Sequence, residues 1–276
     1  MRDALIVTAL SVVPRNHGAR AMGRLARSRV SRWLTTAFVR AYHVDLTEAE
    51  GAIGDFRTLE ALFTRKLRPG SRPISADPDA LVSPVDGTCA FAGRSVGGEV
   101  PIAPGRTVSL SDLLETAVVG ERDVFVLYLS PRDYHRVHVP REGVARAWRY
   151  VPGTLWPVFP AAVRRVKNLF SRNERVVVAV DTDRGPLHVV LVGAFGVGRI
   201  TLELCDLVTN TGGARSEGLL EAPLARGAEL GTFHLGSTVV VVAEPDRWRV
   251  AVAAGDPVRV GVPIARGVPL LGAGDG

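Results

Sequence analysis

Residues 237–242 read Ser-Thr-Val-Val-Val-Val, a run of β-branched side chains that favours an extended strand over a helix. Other short runs, most of them rich in β-branched residues and bounded by Gly, Pro or Asp, follow the same pattern at 124–129, 144–151, 175–180, 188–192, 200–204 and 248–253. Many short strands separated by turn residues are typical of antiparallel sheets in a sandwich or barrel-like body. The sequence therefore predicts a β-rich domain over residues 76–276.

The first 75 residues have a helical pattern instead. Apolar residues recur at spacings close to three and four, namely Leu25, Val30, Trp33, Leu34, Ala37, Phe38 and Ala41. Arginines are interspersed among them, namely Arg20, Arg24, Arg27, Arg29, Arg32 and Arg40. Such an amphipathic helix fits the surface of an anionic membrane, and packing on the protein's own core with a solvated basic face is the open alternative. The predicted class is α+β: N-terminal amphipathic helices followed by a mainly antiparallel β-sandwich or barrel-like body.

The composition is that of a folded protein with an excess of arginine. Hydrophobic residues make up 46% of the 276-residue chain, which excludes global disorder, and the formal net charge is +6. Lys66 and Lys167 are its lysines, so the positive charge is almost all guanidinium, which binds phosphate in a bidentate manner. Proteins that bind nucleic acid often place aromatic side chains on strands next to basic residues, and here only the surroundings of Trp148 and Trp248 have that pattern. This argues against nucleic acid as the ligand of the arginines and favours anionic lipid.

The Gly-Ser pair of the sequence Leu235-Gly236-Ser237-Thr238 directly precedes the valine run. Gly-Ser before a strand is usually a turn, but this pair also has what peptide self-cleavage requires. Glycine leaves its carbonyl open to attack, and serine supplies the adjacent hydroxyl. Attack by that hydroxyl would turn the amide into an ester, and elimination would leave a dehydroalanine that hydrolyses to a pyruvoyl group and ammonia.

Two further motifs supply candidates for acid–base chemistry. His135 and His138 lie in Tyr-His-Arg-Val-His at 134–138, and histidine is the natural general base near neutral pH. Asp86 lies in Ser-Pro-Val-Asp-Gly at 83–87, where it either forms a tight turn or orients a base histidine. Structural histidines and a metal-binding pair are the open alternatives for the histidine motif.

Two neighbouring segments, 150–156 and 168–175, combine apolar residues with arginine. Apolar side chains here could line a slot for acyl chains, and Arg172 or Arg175 could contact a lipid phosphate. A structural loop paired with Glu174 explains the same residues equally well.

Taken together and in this order, the motifs resemble those of the bacterial, membrane-associated phosphatidylserine decarboxylase family. The similar fragments lie at 63–68, 72–74, 83–87, 128–138, 150–153, 168–175 and 231–238. By this resemblance Asp86, His138 and Ser237 form a self-processing triad, in which His138 is the base and Asp86 orients it. His135 would serve the later decarboxylation. The candidate substrate-binding residues are Tyr150, Trp156, Arg172 and Arg175.

The resemblance implies an enzyme that decarboxylates phosphatidylserine to phosphatidylethanolamine with a pyruvoyl group derived from Ser237, and it implies no metal. Cleavage between Gly236 and Ser237 would leave chains 1–236 and 237–276 associated as a heterodimer, with a homodimer of the whole enzyme left open. The expected partners are phosphatidylserine and an anionic membrane surface, without nucleic acid. The expected location is peripheral, on the cytoplasmic side of the cell membrane. The segment 200–221 and Val108 depart from the pattern of well-known bacterial members.

Two other functions fit the residues without the resemblance. One is a metal-dependent hydrolase with His135, His138 and Asp86 as ligands, in which Ser237 has no role. The other is a non-enzymatic β module that binds membranes through its arginines.

Overall fold

The computed structural model describes residues 15–195, 199–234 and 237–269. The helices of that part are α1 (Arg15–Arg27), α2 (Arg32–Tyr42), α3 (Leu59–Phe63), α4 (Leu110–Leu114), α5 (Pro160–Arg165) and α6 (Leu169–Arg172). Gly236, on the N-terminal side of the predicted cut, lies outside the described residues. None of the helices in the described ranges is long and apolar enough to cross a membrane.

Strands make up most of the rest. In chain order, β1 to β16 are Ala80–Val82, Gly87–Arg94, Glu99–Ala103, Arg106–Ser109, Asp123–Leu129, Arg136–His138, Gly143–Val151, Arg175–Thr182, Gly185–Val192, Ile200–Leu202, Ser216–Leu224, Glu229–Phe233, Ser237–Ala243, Trp248–Val250, Pro257–Val258 and Pro263–Gly267. Eight of them form a central antiparallel sheet in the order β11-β7-β8-β9-β13-β5-β2-β15. Two three-stranded sheets, β10-β12-β6 and β1-β16-β14, and the β3-β4 hairpin complete the body.

Both faces of the central sheet are buried, as β13 demonstrates. Successive side chains of a strand point to opposite faces, and Val239 and Val241 accordingly belong to one apolar cluster and Val240 and Val242 to another. The first cluster fills the space between the central sheet and the two three-stranded sheets. The second packs the opposite face against β3, β4 and the short helices α4 to α6. The valine run is therefore a strand covered on both sides.

The N-terminal helices form a small layer of their own. Ser31, between α1 and α2, is buried; its hydroxyl donates to the Ala26 carbonyl at 2.8 Å and accepts from the Leu59 N–H at 2.9 Å, which ties α1 to α3. Phe38 of α2 packs on Phe63 of α3 with ring centroids 5.1 Å apart. Large apolar side chains of this layer also face outward, and those most exposed are Met22, Leu25, Val30, Trp33, Leu34 and Tyr42.

The predicted α+β class is confirmed, and each predicted strand is present with small shifts of its ends. The sequence pattern does not predict β1 to β4, β6, β11, β12, β15 or β16. The residues of β11, Ser-Glu-Gly-Leu-Leu-Glu-Ala-Pro-Leu, lack β-branched side chains, but pairing with β7 at the sheet edge holds them extended. Pro223 is tolerated there because an edge strand leaves half of its N–H groups unpaired. Within the described residues the sheets are open layers that do not close into a barrel.

Candidate active site

Ser237 is the first residue of β13 and is buried. It is paired with Leu129 of β5, and strand alternation places its side chain on the face of Val239, toward the β10-β12-β6 sheet. Its Oγ is buried and has no hydrogen-bond partner among the described residues. Leaving a buried hydroxyl unpaired costs free energy, so this exception calls for a functional explanation.

An apolar cavity of about 240 Å³ opens beside Ser237. Helical residues form one wall, and strand and loop residues form the other; among them are Met22, Phe38, Leu59, Phe63, Tyr128, Pro131, Phe159 and Phe195. A second apolar cavity of about 300 Å³ shares Tyr128 and Val158 with the first and reaches Thr238. Together they offer an apolar space that begins at the N-terminal helices and contains both Ser237 and Thr238.

His135 is fully buried behind the cavity wall. Its ring packs against Phe63 with centroids 4.8 Å apart, and Phe63 lines the same cavity as Ser237. Its Nδ1 lies 2.8 Å from the Asp133 carbonyl, which can only accept, so Nδ1 carries the proton and Nε2 the lone pair. Nε2 is buried and has no partner among the described residues. Burial lowers the pKa of His135 to about 3, so the ring is neutral near pH 7.

His138, on β6, has the same tautomer in a different setting. Its Nδ1 donates to the Gly227 carbonyl at 2.8 Å, and its Nε2 accepts from the Tyr134 hydroxyl at 3.2 Å. Burial lowers the pKa of His138, and burial raises the pKa of Tyr134, so the ring stays neutral and the phenol stays protonated. Nε2 of His138 is therefore unprotonated near pH 7 and accepts a hydrogen bond from Tyr134. It could act as a general base if another hydroxyl took the place of Tyr134.

Asp86 is nearby but is bound to other groups. Its carboxylate accepts from Nε of Arg72 at 2.9 Å and 3.0 Å, from Nη2 of the same residue, and from the Val260 N–H at 2.9 Å. Within the described residues no hydrogen bond joins Asp86 to His138; Tyr134 hydrogen-bonds His138 and lines the same polar cavity as Asp86. Sequence reasoning did not single out Arg72 and Tyr134, although both lie within the motifs that carry the resemblance.

Comparison with known proteins identifies the family. The phosphatidylserine decarboxylase family model matches residues 59–266, which include Asp86, His135, His138 and Ser237. The chain is 40% identical over 279 residues to the phosphatidylserine decarboxylase proenzyme of Anaeromyxobacter sp. (strain K), covering 96% of this chain and 99% of that protein. It is 38% identical to the proenzyme of Pseudomonas fluorescens (98% and 99% covered) and 44% identical to that of Halorhodospira halophila (91% and 87% covered). The chain belongs to the phosphatidylserine decarboxylase family.

The substrate-binding residues predicted from the sequence lie in two environments. Arg172 is exposed, and its guanidinium lies 6.0 Å from the centroid of the buried Trp156 ring. Arg175 is 1% exposed, and its guanidinium donates to the carbonyls of residues 112, 113, 171 and 173 and to the Glu115 carboxylate. These bonds use all five N–H donors of Arg175, so a phosphate contact there would require one of them to break.

Tyr150 is bonded to Glu174, as the loop interpretation of this segment expects. Its hydroxyl donates to Glu174 at 3.0 Å, and the Thr209 hydroxyl donates to the other carboxylate oxygen at 2.7 Å. Burial raises the pKa of Glu174 from 4.5 to about 7, although these two hydrogen bonds lower it in part. Glu174 is therefore a buried acid that titrates in the folded protein near neutral pH.

The raised pKa of Glu174 predicts a pH-dependent stability. Between its unfolded pKa of 4.5 and its folded pKa of about 7, the folded state holds a proton that the unfolded state has lost. The stabilisation of the folded state by protonated Glu174 is therefore complete below pH 4.5 and is lost as the pH rises to about 7. Across this window the free energy of unfolding should fall by at most about 1.4 kcal/mol per pH unit. We expect Glu174→Gln to remove this pH dependence of the free energy of unfolding, measured by urea unfolding between pH 4.5 and 7. Both proteins would carry Ser237→Ala, so that each is studied as one uncut chain. Parallel curves for the two proteins would contradict the assignment.

Proposed function

We propose that this chain is a proenzyme that cuts itself between Gly236 and Ser237 and then decarboxylates phosphatidylserine to phosphatidylethanolamine. The observation that carries the proposal is the buried, unpartnered hydroxyl of Ser237, at the start of the central strand and directly after a glycine. Membership of a family of decarboxylase proenzymes gives that hydroxyl its role.

In the proposed processing step, Nε2 of His138 takes the proton of the Ser237 hydroxyl. The Ser237 oxygen attacks the Gly236 carbonyl carbon, the C–N bond breaks as His138 returns the proton to the Ser237 nitrogen, and an ester replaces the amide. Loss of the Ser237 Cα proton to the regenerated base then breaks the ester's bond to the Ser237 Cβ, which leaves Gly236 as a carboxylate and position 237 as a dehydroalanine. Hydrolysis of the latter gives ammonia and a pyruvoyl group. We assign Asp86 a supporting role in this step, because it is held by Arg72 and the Val260 N–H and lines one cavity with Tyr134, the phenol that contacts His138.

The surroundings of position 237 fit a pyruvoyl group. The apolar cavity there leaves room for a substrate, and the unpartnered Nε2 of His135 lies behind the cavity wall. Once formed, the pyruvoyl carbonyl supplies an electron sink for the electrons that remain when carbon dioxide leaves. His135, neutral because burial lowers its pKa to about 3, is the residue that we assign to proton handling in decarboxylation.

The two chains remain associated in this proposal. The small chain, 237–276, begins with β13, which pairs with β5 on one side and β9 on the other. A segment of this size cannot bury a core of its own, and its strand lies in the middle of the sheet. The mature enzyme is therefore a heterodimer of two pieces of one chain.

We further propose that residues 1–75 are the membrane-associating region and 76–276 the catalytic domain, with the enzyme peripheral on the cytoplasmic face of the membrane. Exposed apolar side chains on α1 and α2 lie among exposed arginines, which suits insertion between anionic headgroups. Helices α1, α2 and α3 supply Met22, Phe38 and Leu59, respectively, to the cavity beside Ser237. An acyl chain could thus pass from the bilayer to the reacting group along one apolar surface.

Trp33 tests the membrane-associating region. Its side chain is 87% exposed on α2, so Trp33→Ala should leave folding unchanged and weaken binding to vesicles that contain phosphatidylglycerol by about tenfold. Leu219→Ala is the matched control, since Leu219 is 91% exposed on the edge strand β11, outside the N-terminal helices, and should have no effect. Equal vesicle co-sedimentation of both variants and the wild type would count against the helical region as the membrane anchor.

The decisive experiment for the activity uses carboxyl-labelled phosphatidylserine and the purified protein. Release of labelled carbon dioxide, with two chains by intact mass and no free amino terminus on the smaller, is the expected result. A single chain that releases none would overturn the proposal. A metal-dependent hydrolase or a non-enzymatic module would remain a single chain and release no labelled carbon dioxide. The comparisons do not support either function.

A further inference from the structure

A further cavity, of about 510 Å³, lies against α1 and is strongly basic. Four arginines line it, namely Arg20, Arg24, Arg27 and Arg199, together with Gly23 and the loop 208–211. None of the described residues that line it is acidic. Neither the catalytic steps proposed above nor the matched motifs use these arginines.

The positive charge of this cavity is only partly balanced. Glu60 of α3 pairs with Arg199 at 3.0 Å and more distantly with Arg27 at 3.8 Å, and it also accepts from His234 at 3.0 Å. Within the described part of the chain, neither Arg20 nor Arg24 forms an ion pair. Two carboxyl groups, Glu60 and the buried Glu174, therefore accompany four guanidinium groups, which leaves a net attraction for an anion.

Arg20 carries the clearest sign that a ligand belongs here. Its Nε is buried and has no hydrogen-bond partner among the described residues. The guanidinium lies close to Gly212 and lowers the pKa of Glu174 in part. A buried guanidinium N–H without an acceptor is costly, and the other N–H groups of this cavity-lining side chain can donate to an anionic oxygen.

The basic cavity lies next to the apolar cavity of Ser237. On α1, Met22 lines the apolar cavity and Gly23 the basic one, so the helix forms part of both walls. Glu60 bonds His234, three residues before Ser237, and pairs with two of the four arginines. An anion site, an apolar slot and the reacting residue are thus neighbours around one helix.

We infer that this basic cavity binds the phosphodiester of the lipid substrate through Arg20 and Arg24. In phosphatidylserine the phosphodiester joins the serine oxygen to the glycerol that carries the acyl chains. If the substrate amine lies at residue 237 and the acyl chains lie in the apolar cavity, the phosphodiester between them must lie next to both places. A group that binds an anion is therefore expected there. Arginine suits this task because its planar fork donates two parallel hydrogen bonds to phosphate oxygens. The inference rests on the proposed function and adds to it the residues that recognise the headgroup.

A monomeric substrate separates this site from general membrane attraction. Dihexanoylphosphatidylserine below its micelle concentration supplies a phosphodiester without any lipid surface. With it, Arg20→Gln should raise KM about 10- to 100-fold and leave kcat within about twofold, because a charge-assisted hydrogen bond to the substrate is lost in both ground and transition states. Arg24→Gln should act in the same direction and serves if Arg20→Gln folds poorly. Arg249→Gln, an exposed arginine on β14, is the matched control and should keep the wild-type KM.

Each outcome has one meaning. If Arg20→Gln and Arg24→Gln keep the wild-type KM on the monomer but lose activity on phosphatidylglycerol vesicles that contain phosphatidylserine, the arginines attract the membrane surface and the inference is overturned. Unchanged kinetics in both assays overturn it as well. Chain cleavage, followed on a denaturing gel, should be complete in both variants, which separates headgroup recognition from processing. An inactive wild type would instead remove the proposed function.

Discussion

Ser237→Ala is expected to yield a single uncut chain that releases no carbon dioxide from phosphatidylserine. The substitution removes the Oγ that attacks the Gly236 carbonyl, and with it the source of the pyruvoyl group, so both processing and turnover should fall below detection. Removing a buried hydroxyl that has no partner among the described residues should not unfold the protein, since no hydrogen bond is lost there. A denaturing gel, intact mass and labelled carbon dioxide provide the measurements.

A matched substitution controls for stray proteolysis of the Ser237 region. Ser216→Ala changes a serine at the start of β11, on the far edge of the same sheet, and should be cut and active like the wild type. If Ser237→Ala protein is still cut between residues 236 and 237, a host protease makes the cut and the self-processing proposal fails.

His138→Gln and His135→Gln are expected to separate the two stages of the reaction. Both rings present a neutral Nε2, but that of His138 is bonded to Tyr134, whereas that of His135 is buried beside Phe63 without a partner among the described residues. His138→Gln removes the proposed base, and loss of general base catalysis typically slows a step about 10²–10⁴-fold, so newly made protein should remain largely uncut. His135→Gln should be cut normally and then turn over at least about 100-fold more slowly.

A time course of cleavage on gels, combined with labelled carbon dioxide from the cut fraction, distinguishes the two variants. His188→Gln, at a half-buried histidine on β9, controls for the general effect of replacing a histidine in this sheet. The reverse pattern, in which His135→Gln stays whole and His138→Gln is cut, would exchange the roles assigned here.

The central sheet and the chemistry-bearing residues follow largely from local sequence. The valine run predicts β13 because β-branched side chains favour extended backbone, and the fold buries that strand on both faces. The motif around His135 and His138 predicts chemistry because it places two of the six histidines within four residues. Both predictions depend only on residues that are adjacent in the sequence.

Many partners of the site residues could not be predicted, because they come from other segments of the chain. Asp86 is bound by Arg72 and by the Val260 N–H, 174 residues further on, rather than directly by His138. Arg175 resembles a phosphate ligand in the sequence, yet the fold surrounds it with carbonyl oxygens of α4 and α6 residues and their neighbours. The basic cavity arises where α1 meets the loop 208–211, and no local pattern records that contact.

The position of β13 links maturation to folding. This strand is inserted between β5 and β9, both of which are synthesised before it, so the sheet stays divided until residues 237–243 have been synthesised. The Ser237 hydroxyl is sequestered from water only when that insertion is complete. On the proposed mechanism, a misfolded copy would never acquire its electrophile, and nascent chains would carry no reactive ketone during translation.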